Sequence, residues 1–112
     1  MANTREYRSP DGSLRFEVLT EDDGDVLLGF RGFEWHTHAD LLAADFGVSE
    51  AEAVEKFVQK LLNSQSVIAI SRVGGEIKDI CITYDPESET QGLADGVSVE
   101  LRLWDGRTWS AA

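Results

Sequence analysis

His36 and His38 stand one residue apart and Asp40 follows at the same step, so three potential metal-ligating groups fall within five residues. Two imidazoles and a carboxylate are the donor set of a facial triad for a divalent metal. The same residues also suit the start of a helix, with Thr37 as capping hydroxyl, His38 at the first helical position and Asp40 in a first turn that favours negative charge. The other reactive group is Cys81, the single cysteine, which excludes an intrachain disulfide. Flanked by Ile80 and Ile82, it reads as a buried structural residue. A nucleophilic thiol needs a base and an electropositive setting that the sequence does not offer.

The run from Trp35 to Asp40 resembles, over five residues, the opening of the H-x-H-x-D-H zinc motif of the metallo-β-lactamase fold. The motif's last histidine is Leu41 here, and no third histidine exists to complete the ligand set. Membership is excluded, and a small metal-dependent enzyme using His36, His38 and Asp40 stands only as an alternative. There is no G-x-S-x-G nucleophile, and the glycines form neither G-x-G-x-x-G nor a P-loop, so no phosphate cradle is expected. The reading is a non-enzyme without a cofactor.

Carboxylates dominate what is left. Glu21-Asp22-Asp23-Gly24-Asp25 holds four acids in five residues, and Asp85-Pro86-Glu87-Ser88-Glu89 holds three more. Neither has the twelve-residue ligand spacing of an EF-hand calcium loop. Across 112 residues, 21 Asp and Glu face 10 Lys and Arg, for a net charge of −11. Nucleic acid and anionic membrane are poor partners for such a surface, since phosphate binders need basic groups to displace counterions. A basic protein is a good one, because opposite charge steers encounter. Asp22, Asp23, Asp25, Glu87 and Glu89 are therefore the candidate protein-binding acids. Trp104 is added as an aromatic anchor on an open sheet face.

The elements that position these groups are legible in the hydrophobic pattern. Leu14, Phe16 and Val18 alternate with polar residues, as do Val26, Leu28 and Phe30. With a short strand at Tyr7–Ser9 and turns at Pro10-Asp11-Gly12 and Asp22–Asp25, they predict a three-stranded meander. Thr37 and Asp40 open a first helix ending at Gly47. Ser49 and Glu52 form a capping box for a second, over 49–63, in which Val54, Phe57, Val58, Leu61 and Leu62 make one apolar stripe. Ile68 and Ile70, then Ile80 and Ile82, flank Gly74-Gly75. A three-residue loop that includes Glu76 places Ile70 opposite Ile80 and Ile68 opposite Ile82. Residues 85–96 read as an exposed acidic loop. Val97, Val99, Leu101 and Leu103 form the last strand, with Trp109 folding back onto the sheet.

The order β-β-β-α-α-β-β-β predicts one α+β domain over 1–112: a mostly antiparallel sheet of about six strands with two helices packed on one face. The 42% apolar fraction is enough for one core. No signal peptide or membrane-length apolar run is evident, so a cytoplasmic protein is expected. In type, a small acidic α+β domain without a catalytic inventory resembles the immunity proteins that bacteria pair with secreted polymorphic toxins. Gly32-Phe33-Glu34-Trp35-His36 and Glu100-Leu101-Arg102-Leu103-Trp104-Asp105-Gly106 carry that resemblance. It implies a protein that masks the active site of one toxin, often a basic nuclease, with acidic loops standing in for phosphate. The alternative in another class is a structural domain that self-associates, for instance as a homodimer, through a sheet edge or helix face.

Overall fold

The computed structural model describes residues 3–110. It is an α+β fold of seven strands and two helices: β1 (Asn3–Arg8), β2 (Arg15–Thr20), β3 (Val26–Phe30), β4 (His36–His38), α1 (Ala39–Phe46), α2 (Glu50–Leu62), β5 (Val67–Val73), β6 (Glu76–Thr83) and β7 (Val97–Arg102). The expected class and antiparallel pairing hold, whereas the single six-stranded sheet does not. The strands form two sheets, ordered β1-β2-β3-β4 and β6-β5-β7.

The extra strand is β4, and Gly29 makes room for it. A Cβ on Gly29 would lie 2.7 Å from the Trp35 carbonyl oxygen and 3.2 Å from the His36 Cβ. With only hydrogen there, the chain after Trp35 closes against β3, pairing Gly29 with His36 and Leu27 with His38. Thr37 therefore lies in a strand and caps nothing. The residue before α1 is His38, whose side chain makes no capping hydrogen bond. Both helix ends read from the pattern are present: Gly47 closes α1 in the left-handed conformation, and the Ser49 hydroxyl accepts from the Glu52 amide.

A single core joins the two sheets and both helices. Phe16, Val18, Leu28 and Phe30 meet Val54, Phe57, Val58 and Leu61, and the Phe16 and Phe57 rings stack at 6.0 Å. Ile68, Ile70, Ile80 and Ile82 complete it from the second sheet. The isoleucine register is as expected, Ile70 with Ile80 and Ile68 with Ile82, but the loop is not. Gly74 and Gly75, at φ 60° and 86°, form a two-residue turn that pairs Val73 with Glu76. The register shift falls between Ser71 and Arg72, leaving Lys78 as the extra residue of a bulge. The odd residue that core registration requires sits in the strand rather than in the turn.

The last strand is turned over relative to expectation. Arg102 pairs with Ile68 and Glu100 with Ile70, so the even-numbered residues of β7 share the core face. Trp104 is 4% exposed and belongs to the core, which removes it as a binding anchor. Val97, Val99 and Leu101 are half-buried on the opposite face, where Ala69 and Thr83 are buried. The 85–96 segment packs there, with a 3-10 turn at Ser88–Thr90 against β7. Cys81 lies on this outer face, half-buried rather than buried among the isoleucines. Beyond β7 the chain folds back as expected: Thr108 bridges to Arg102, and the Trp109 amide donates to the Leu101 carbonyl.

Candidate functional site

One acidic loop lies at the start of α1, and Tyr84, which precedes the other, is within electrostatic reach of Asp45 near the end of that helix. At its start, the β2–β3 turn is closed by the Glu21 amide donating to the Asp25 carbonyl, with the Asp25 amide held by the Asp23 carboxylate. Pairing of Leu27 with His38 then sets Asp25 beside the beginning of α1. At the other end, the negative charge of Asp45 acts on the Tyr84 hydroxyl. That hydroxyl is raised above its ordinary value by desolvation first and by Asp45 second. Tyr84 follows β6 and precedes the Asp85–Glu89 segment. An eight-residue helix spans about 12 Å at 1.5 Å per residue, which sets the separation of Asp25 and Tyr84 along α1.

The outward side of α1 carries Asp40, Leu41, Ala44 and Asp45, all exposed. Leu41 at 57% and Tyr84 at 78% are the two most exposed large apolar side chains among the described residues. Asp45 stands in the last helical turn, where the macrodipole favours a cation, and no basic residue is present there. Six of the ten Lys and Arg are engaged elsewhere. Arg5 pairs with Glu55, Arg31 with Glu6 and Glu17, Arg72 with Glu100, Lys78 with Glu76, Arg102 with Asp11 and Arg107 with Asp105. Among the described residues, no Lys or Arg pairs with Asp23, Asp25, Asp40, Asp45, Asp85 or Glu87.

Of the candidate acids named from the sequence, Asp22, Asp23 and Glu87 are exposed, while Asp25 and Glu89 are half-buried. Glu89 also braces its own loop. Its carboxylate accepts from the Thr83 hydroxyl at 3.0 Å, while that hydroxyl accepts from the Asp85 amide. The charges of Glu89 and Asp79, added to the larger effect of burial, push the Cys81 thiol up to about 11. It is a thiol at neutral pH, and so a poor nucleophile.

The histidines divide. His38 Nδ1 lies 3.4 Å from Asp25 Oδ2, and Asp25, His38 and Asp40 present ligand atoms all within 4.8 Å of one another. His36 stands beside this group, its ring 5.0 Å from that of His38, with Nδ1 at 2.9 Å from the Glu34 carbonyl oxygen. The triad expected from spacing thus keeps two members and exchanges His36 for Asp25. The β2–β3 turn supplies that third ligand, and the pairing that brings it close involves a strand the hydrophobic pattern does not reveal.

Sequence reasoning also missed Arg102. Its guanidinium is buried and donates to Asp11, Ser13 and the carbonyls of Leu103 and Trp104. The Asp11 carboxylate is held well below the usual range, first by the Ser9 hydroxyl and then by Arg102. This network clamps the first hairpin turn to the last strand. A lone Arg among alternating residues gives no sign of it. A cavity of about 300 Å³ lies between the first sheet and α2, lined by Val18, Val26, Ala39 and Val54, with the Arg5–Glu55 pair among its walls.

Compared with known proteins, the chain matches no family model, no curated protein and no solved structure.

Proposed function

We propose that this chain is a protein-binding module of the inhibitory, immunity-like kind that engages one basic partner through the α1 face. The observation that carries the reading is the segregation of charge. Six of the ten Lys and Arg are in ion pairs with acids away from α1, while among the described residues no Lys or Arg pairs with Asp40, Asp45, Asp85 or Glu87, and Leu41 and Tyr84 are exposed. Stability does not explain Asp45, whose position opposes the helix dipole. Acidic side chains steer a basic protein, and an exposed tyrosine is a suitable anchor, with Leu41 adding apolar contact. Tyr84 takes the role that the sequence assigned to Trp104.

In this reading the module acts by occupying its partner's surface, and the raised pKa of the Cys81 thiol is consistent with that role. We place that action in the bacterial cytoplasm, where a single unpaired cysteine is at home. Among the described residues no helix is long and apolar enough to cross a membrane. Capture from host lysate on the immobilised protein tests the reading. One stoichiometric basic protein, retained by the wild type and lost with Tyr84→Ala, supports it. Equal retention by Tyr84→Ala removes the α1 face as the binding surface.

A further inference from the structure

We propose that Asp25, His38 and Asp40 form a binding site for one divalent transition metal of the zinc class, which fastens the β2–β3 turn to the start of α1. The ligand atoms lie within 4.8 Å of one another: His38 and Asp40 from the β4–α1 junction, and Asp25 from the β2–β3 turn that the β3–β4 ladder holds beside it. The His38 Nδ1 to Asp25 Oδ2 distance is 3.4 Å. That is long for a charge-assisted hydrogen bond, which runs at about 2.7–2.9 Å. It equals one edge, roughly 3.4 Å, that bonds of about 2.05 Å subtend in a tetrahedral zinc site, so loading requires Asp40 to close on this pair from within 4.8 Å.

The donor set selects the metal. One imidazole with two carboxylates suits zinc and its neighbours, whereas calcium takes six to eight oxygens. Competing partners are few: Asp40 accepts only from the adjacent Leu41 amide, and no Lys or Arg pairs with Asp25 or Asp40 among the described residues. Asp25 and His38 are half-buried and Asp40 is exposed, so a metal held there keeps a position open to solvent. The site stands independently of the protein-binding reading, because it is measured on the chain without a partner.

The test is calorimetric titration of the metal-free protein with zinc, followed by cobalt(II) loading and its visible d–d spectrum. The decisive variant is His38→Ala, which leaves the carboxylate charge untouched. Glu76→Gln removes one charge at the β6 edge and serves as the control. We expect one zinc per chain in the wild type and in Glu76→Gln, and a tetrahedral cobalt spectrum. Affinity should fall about 100-fold or more in His38→Ala and Asp25→Asn, beyond the loss typical of outer-shell changes. Wild-type affinity retained in His38→Ala, or binding that only tracks net charge, overturns the proposal. So does a cobalt spectrum of the hydrated octahedral ion, an outcome that does not depend on how any variant folds.

Discussion

Arg102 and Asp45 show how differently single residues can be used in this fold. Arg102 is buried and its charge is answered by Asp11 together with three other acceptors. Removing it as Arg102→Ala should cost about 2–3 kcal/mol, at the lower end for a broken buried pair because Asp11 is partly solvated. The pH dependence has a definite sign. The folded pKa of Asp11 is depressed, so its contribution is complete above the unfolded value near 4 and is lost as pH falls below it. Urea melts between pH 2 and 6 should show this loss in the wild type and a flatter profile in Asp11→Asn; parallel profiles would remove Asp11 from the account. Asp45 is the opposite case. Relieving its conflict with the helix dipole as Asp45→Asn should raise stability by about 0.3–1 kcal/mol, and a fall in stability would show that the carboxylate has a structural partner.

At the scale of elements, Gly29 controls whether β4 exists. Gly29→Ala pushes a methyl group against the Trp35 carbonyl at 2.7 Å and should destabilise by about 1–3 kcal/mol. Amide exchange should accelerate first at His36–His38, and uniform acceleration would mean that β4 has no separate dependence on this glycine. The same element marks the limit of what the sequence discloses. Strong periodicity reveals β2, β3, α2 and the isoleucine register, because each presents an apolar face that only one placement buries. β4 is three residues long with no apolar alternation, and what forms it is an absent side chain on a neighbouring strand. β7 alternates cleanly, yet its apolar side is not the inward one, since a buried Arg102 with its own acceptors takes that place. The bulge at Lys78 is indistinguishable in the sequence from a longer loop, because turn length and strand irregularity give the same register. It also gives the β6 edge, with exposed Glu76, Ile77 and Lys78, a charged and kinked outline, the kind that discourages edge-to-edge pairing. The acids are visible as loops; their union along α1 is not, because that depends on which sheet each loop belongs to.

For the whole molecule, the net charge of −11 matters less than its distribution. The paired acids on strands and α2 are locally neutralised, and surface pairs of that sort contribute little to stability. The acids around α1 leave an uncompensated field that weakens with salt over a Debye length of about 8 Å at physiological ionic strength. An association driven by general acidity would respond to any lost carboxylate, whereas one seated on the α1 face would respond only there. The most direct measurement is therefore a comparison of two variants of equal net charge in the lysate capture. Asp45→Asn/Asp85→Asn alters the α1 face; Glu76→Gln/Glu100→Gln alters paired acids elsewhere. The account predicts that the first loses the basic partner, at least tenfold in the amount retained at physiological salt (roughly 1.4 kcal/mol or more), while the second keeps it. Equal retention by the two, or equal loss, would contradict it.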